Sequence, residues 1–209
     1  LTRLLTNDLD AIGPGQGQYT LMCEDDGGVI DDLIVYAFPD GYLLVVNASN
    51  IAACLARLDD RLPPGAYVAN RSPEMAMLAL QGPGWVDALR PLAATDAPFE
   101  LDYFALGEDV IAGVPCLIAR TGYTGEPGVE LMCPWEGAPA LWDALMAGDA
   151  PPAPAGLVAR DTLRLEMGYP LYGQELSRER TPIEAGLGWA CDLAGARFFG
   201  AQTMVRQAE

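Results

Sequence analysis

Apolar positions along the chain fall into short runs broken by glycine, proline and acidic clusters, with helical spacing in only a few windows. Gln18 to Glu24 alternates and predicts a strand, Asp25 to Gly28 a D-G hairpin turn, and Val29 to Phe38 a mostly apolar, hence central, strand. Pro39-Asp40-Gly41 turns the chain into a third strand over Tyr42 to Asn47, giving an antiparallel meander. Leu1 to Leu9 reads as a helix end running into a turn. Ile51, Cys54, Leu55 and Leu58 mark one face of a helix over Ile51 to Leu62, capped by Ser49 or Asn50. Further strands are expected at Tyr67 to Ala69, Met75 to Gln81, Leu101 to Ala105 and Val110 to Ala119, with turns near Gly107 and Gly113. A short helix should end at Leu89. Longer helices are expected over Trp135 to Met146 and Gly156 to Met167, on either side of a Pro/Ala linker. Strands and helices come in clusters instead of strict alternation, which predicts an α+β fold with antiparallel or mixed sheets.

Four places break the local pattern. Asp31 and Asp32 sit inside V-I-D-D-L-I-V-Y, and neighbours in a strand point to opposite faces. One carboxylate therefore shares a face with Leu33, where it needs a partner or a proton; the alternative is an edge strand with both acids in water. Asn47 ends an apolar run, where it either closes the strand or lines a polar pocket beside Asp32. Arg120 to Glu130 (R-T-G-Y-T-G-E-P-G-V-E) is a strand delivering a glycine-rich loop, with Tyr123 as a stacking ring and Glu130 as a lone acid re-entering an apolar strand. Its alternative is a plain hairpin carrying a surface tyrosine. In the helix from 156, Arg160, Asp161 and Arg164 crowd among leucines. Asp161 is placed to pair with Arg164, and an arginine forced inward would hold a planar acid or ring edge.

Composition then removes whole mechanisms. The chain has 209 residues, a net charge of −17, twelve arginines, and neither lysine nor histidine. No histidine base, catalytic triad, Schiff-base lysine or phosphate-loop lysine is possible, and nucleic acid is not an expected partner. No apolar run reaches membrane-spanning length. Leu1 to Asp10 already reads as folded protein, so no signal peptide is expected ahead of it. The five cysteines form no C-x-x-C, so buried free thiols in a reducing compartment, and no metal, are expected. Converging tyrosine, arginine and carboxylate suit a flat, polar organic ligand.

The blocks L-T-N-D-L (5–9), G-G-V-I-D-D-L-I-V-Y (27–36), V-V-N-A-S-N (45–50), A-L-Q-G-P (79–83), R-T-G-Y-T-G-E-x-G-x-E (120–130), A-R-D-T-L-R-L-E-x-G (159–168), L-Y-G-Q-E (171–175) and T-P-I-E-x-G-L-x-W (181–189) run in order through nearly the whole chain. Together they resemble the aminomethyltransferase family, the T-protein of the glycine cleavage system. The resemblance implies a folate-binding domain of two similar halves over 1–195. It also implies that 196–209 starts the junction to an absent C-terminal β-barrel, and that an N-terminal segment is absent too. The implied activity is transfer of a one-carbon unit from the dihydrolipoyl arm of the H-protein to tetrahydrofolate, with release of ammonia. The implied roles are Asp32 as the acid beside the folate nitrogens, Glu130 and Arg160 as pterin-holding groups, Tyr19, Val45, Tyr123 and Tyr169 as ring walls, and Asn47 as support for Asp32. A bacterial cytoplasm, or a mitochondrial matrix in a eukaryote, is the expected compartment. Related families leave two alternatives: a folate-dependent demethylase or folate domain of a sarcosine- or dimethylglycine-oxidising enzyme, and a non-enzymatic folate-binding accessory protein. The K-G-C-Y motif of the latter is absent, and Val158 stands where the family usually has glycine.

Overall fold

The computed structural model describes residues 1–209 and divides them into two compact units. The first comprises Leu1–Asn70 and Pro170–Glu209, the second Arg71–Tyr169. The architecture is α+β, with one antiparallel sheet in each unit.

The first unit is built on the expected meander, β1 (Gly17–Cys23), β2 (Val29–Phe38) and β3 (Gly41–Val45), with β2 central. The helix α1 (Ile51–Arg61) lays Cys54 and Leu58 against Leu5, Met22, Leu33 and Val35 on one face of this sheet. Leu21, Cys23 and Val29 pack into a second cluster with Leu176, Leu187, Phe198 and Met204; the last lies on α6 (Ala201–Ala208). The β1–β2 turn is strapped by the segment after Leu176. The amide of Val29 donates to the carbonyls of Ser177 (3.0 Å) and Arg180 (3.1 Å), and Arg178 pairs with Glu24. Gly28 is the point of closest approach: a Cβ there would overlap the backbone carbonyl of Arg178.

The second unit holds a four-stranded antiparallel sheet in the order β4 (Met75–Gln81), β7 (Gly128–Pro134), β6 (Val114–Ala119), β5 (Leu106–Ile111). Leu80, Val129, Leu131, Cys133 and Ile118 point to one face. There they meet Trp85 and Leu89 of α2 (Trp85–Leu89) and Leu141 and Leu145 of α4 (Ala138–Ala147). Helix α3 (Ala97–Glu100) precedes β5, and α5 (Leu157–Glu166) closes the unit.

Four expectations fail locally. Tyr67 to Ala69 forms no strand, because the chain there is exposed and finds no ladder; Tyr67 is 90% exposed. Leu101 to Ala105 is a turn in place of a strand, with Phe104 at φ 65° and its amide donating to the carbonyl of Arg120 (3.0 Å). The turn expected near Gly113 is present at Ala112-Gly113, so the strand expected over Val110 to Ala119 ends and restarts there, but the turn expected near Gly107 is not, and Gly107 lies inside β5. The first nine residues make turns instead of a helix end. All five cysteines are buried and unpaired.

Replacing Gly28 with alanine should lower unfolding stability by at least about 2 kcal/mol, because backbone must move to admit the methyl group. Gly41→Ala, where nothing lies within 4 Å of the added atom, should cost less than about 1 kcal/mol. Urea denaturation of the two variants checks the contrast.

Candidate functional site

Strand register decides which side chains meet in the first unit. Tyr19 pairs with Ile34, Leu21 with Asp32, and Ile34 with Val45. Directly paired residues share a face, so Tyr19, Asp32 and Val45 lie on the same side of the sheet, and Asn47 continues the β3 register opposite Asp32. All four are half-buried. Asp31, one position away, turns to the opposite face and is completely buried beside α1. The edge-strand alternative is excluded, since β2 is hydrogen-bonded on both sides.

The Asp32 carboxylate is held from two directions. The Tyr19 hydroxyl donates to Oδ2 (3.0 Å), and Asn47 Nδ2 donates to Oδ1 (2.9 Å) and to the Asp32 carbonyl (3.0 Å). Burial pushes its pKa above the ordinary carboxylate range, and the neighbouring charge of Asp31 adds to this; the Tyr19 and Asn47 hydrogen bonds act in the opposite direction. A carboxyl whose proton affinity is raised while two donors fix its position can take and return a proton. The indole of Trp189 stacks on Tyr19 with centroids 5.4 Å apart and remains 68% exposed. It stood at the end of a quoted motif, yet only the stacking shows that it extends this aromatic wall.

The second unit carries the other four expected residues, three of which meet one another. Glu130 lies on the sheet face away from the helices, with Ala79 and Ala119 as its register partners, so small side chains leave its carboxylate room. Its Oε2 accepts from the Thr121 hydroxyl at 2.6 Å. The rings of Tyr123 and Tyr169 stack with centroids 5.9 Å apart, and the guanidinium of Arg160 stands 4.7 Å from the Tyr123 centroid. The arginine forced inward is not Arg160, which is exposed, but Arg164, at 5% exposure. Arg164 Nε donates to Asp161 (2.8 Å) and Nη1 to the Tyr169 carbonyl (3.1 Å), so it fixes the turn that carries Tyr169. Val158 is 81% exposed on α5 and closes nothing off.

Two further residues escaped the sequence reading. The Gln81 amide fastens the glycine loop: Nε2 donates to the carbonyls of Thr121 and Val129 (3.1 Å each), and Oε1 accepts from the Thr124 hydroxyl (3.3 Å). Gly122 has to be glycine because the Gln81 side chain fills the space a Cβ would take. The pKa of Tyr103 is raised, chiefly by burial and then by the neighbouring Tyr169. The left-handed Phe104 beside it is costly for a bulky residue and sets the turn that aims Tyr103. Reading that stretch as a strand concealed it. No group of three or more histidine, cysteine, aspartate or glutamate side chains has metal-binding geometry.

Comparison with known proteins gives these residues a context. The family model described as the GCVT N-terminal domain matches residues 1–195. The chain is 48% identical over 208 residues to an aminomethyltransferase of Mycobacterium avium (strain 104), covering 98% of this chain and 56% of that protein. Against an aminomethyltransferase of Frankia alni it is 48% identical over 206 residues, covering 97% and 56%. The crystal structure of glycine cleavage system aminomethyltransferase T from Bartonella henselae superposes with a TM-score of 0.84 at 33% identity, covering 100% of this chain and 57% of that one. The chain thus spans little more than half the length of the relatives it matches. A family model covering residues 1–195 and an α+β architecture that follows a solved relative throughout place this chain in the GCVT N-terminal domain family.

Proposed function

We propose that the protein carrying this chain is an aminomethyltransferase of glycine cleavage. It moves a one-carbon unit from the aminomethylated dihydrolipoyl arm of an H-protein to tetrahydrofolate. In the overall transfer the carbon–sulfur bond to the lipoyl arm breaks, the amino nitrogen leaves as ammonia, and the carbon ends bonded to two folate nitrogens. The observation that carries the reading is Asp32: an acid half-buried on an open sheet face, fastened by Tyr19 and Asn47, in a chain without histidine or lysine. The names of the relatives supply the reaction class.

The residues present fit tetrahydrofolate as co-substrate. Asp32 accepts and returns the proton that moves as a folate amine attacks carbon, and its two donors keep the carboxylate oriented through the step. Tyr19 and Val45 offer ring and aliphatic surface beside it. Glu130 keeps one carboxylate oxygen for a pterin N–H while Thr121 occupies the other. Arg160 forms no ion pair with any acid, in a chain with 29 of them, so its donor fork is available to a ligand acceptor. Tyr123 and Tyr169 supply flat faces for conjugated rings. Bacterial relatives and five buried free thiols favour a cytoplasmic setting. No helix is long and apolar enough to cross a membrane.

Titrating tetrahydrofolate into the chain by calorimetry should give measurable binding that Arg160→Ala weakens about tenfold or more, the loss of one charged hydrogen-bonding group. Folded protein that gives no heat defeats the reading for this chain. In a glycine-cleavage assay with H-protein, Asp32→Asn should lower kcat by about 10²- to 10⁴-fold. Unchanged turnover removes the proposed role of Asp32.

The raised pKa of Asp32 makes a separate prediction about stability. The folded state binds the Asp32 proton more tightly than the unfolded state, so stability from this group is full below the unfolded pKa and is lost as pH rises through the folded one. Asp32→Asn removes that loss. Its melting temperature should exceed the parent's at pH 7, and the gain should vanish on acidification below the ordinary carboxylate range. Thermal melts across pH measure the trend.

A further inference from the structure

Asp31 has no part in the chemistry above, yet no charged side chain in the protein is more completely buried. Its carboxylate only accepts. The donors are the Asn47 amide (3.0 Å), Asn47 Nδ2 (2.8 Å), Asn50 Nδ2 (2.6 Å) and the Cys54 thiol (3.5 Å). No arginine forms a salt bridge with it, so the site keeps a buried acid without a counter-charge, an arrangement that is costly in itself. Asn50 occupies the N-cap position of α1 but makes no capping hydrogen bond; its amide goes to Asp31. A cap residue has been diverted to hold this acid.

The same Asn47 nitrogen that donates to Asp31 also donates to Asp32 Oδ1. An amide between two carboxylates has one workable orientation, with its NH₂ toward both; flipped, its oxygen would face two acceptors. The geometry points to Asp31 as a positioning residue for the transfer reaction. It locks the Asn47 amide as a donor, and through that amide it holds the Asp32 carboxylate in place. This rests on the reading of Asp32 as the reacting acid. The competing explanation is that Asp31 only ties the start of α1 to the sheet, in which case Asp32 would not register the state of the Asn47 amide.

The test is a double-mutant cycle read at Asp32 by ¹³C NMR of its carboxyl carbon during a pH titration. The polar groups around the pair are Tyr19 on β1, Cys54 on α1, and Tyr172 and Arg178 beyond Pro170; all stay constant through the cycle. Asp31→Asn removes a like charge and so lowers the Asp32 midpoint in either background. Only where Asn47 is present can the freed amide turn its oxygen toward Asp32 and push the midpoint up. The shifts caused by Asp31→Asn with and without Asn47→Ala should therefore differ by about half a pH unit or more, the chain that keeps Asn47 lying higher. Equal shifts overturn the proposal. Asp31→Ser, smaller and likewise uncharged, serves if Asp31→Asn does not fold: the same difference between the backgrounds with and without Asn47 is expected, and equal shifts overturn the proposal. The backbone amide spectrum of β2 verifies folding in each variant. None of these measurements needs folate or turnover. A chain that passes them yet fails to bind tetrahydrofolate keeps the positioning role and loses the proposed function.

Discussion

Two adjacent aspartates in the central strand of a three-stranded sheet must face opposite ways, and the first unit is arranged around that constraint. One face has to hide a carboxylate under α1, and the other has to leave one half-open. Both needs are met from a single residue, because Asn47 follows β3 where the strand ends and its amide can reach around to both acids. The apolar clusters on either side of the sheet supply the stability that an unpaired buried acid detracts from. Leu33, Val35, Cys54 and Leu58 close over the Asp31 side, and Leu21, Leu176 and Met204 pack on the other.

The second unit solves a different problem, the holding of a glycine-rich loop without making it stiff all over. A loop with Gly122, Gly125 and Gly128 has large conformational freedom to lose. Gln81 restricts it with a fully used amide, Arg120 reaches the Gly128 carbonyl while lying over Trp85, and Met167 fills the space beside Gly125. Arg164 does the same for the turn that carries Tyr169. The aromatic pair Tyr123–Tyr169 is therefore carried on two segments that the side chains of Gln81 and Arg164 hold in place. A ligand stacking there would meet a surface already ordered, which reduces the entropy lost on binding.

These two arrangements explain what was legible in the sequence. Strands β1, β2, β3, β4 and β7 were readable because their alternation or apolar runs coincide with burial on the sheet faces. Asp31 and Asp32 stood out because acids in such a run break the pattern, though the pattern alone could not say which acid was covered. Register decided it. Leu101 to Ala105 misled because an apolar and aromatic run looks like a strand, while the left-handed Phe104 that turns the chain has no sequence signature. Arg160 and Arg164 lie one helical turn apart and carry the same chemistry. Which of them was buried depended on the Tyr169 carbonyl five residues after Arg164, a contact that helical spacing does not encode.

The distribution of charge bears on how an anionic co-substrate could be tolerated by a chain of net charge −17. The overall field opposes approach, but at physiological ionic strength it is screened over about 8 Å, so groups in contact with the ligand outweigh those across the protein. Seven arginines (Arg57, Arg61, Arg71, Arg90, Arg164, Arg178 and Arg197) are engaged with aspartate or glutamate. Arg160 is not; it rests on an aromatic face, where the ring orients the guanidinium without satisfying its N–H donors. Arg160 is one of five arginines outside these ion pairs and the one cation among the residues expected to meet the ligand, so its guanidinium is the group that offsets the net field where a negative or acceptor-rich ligand would bind.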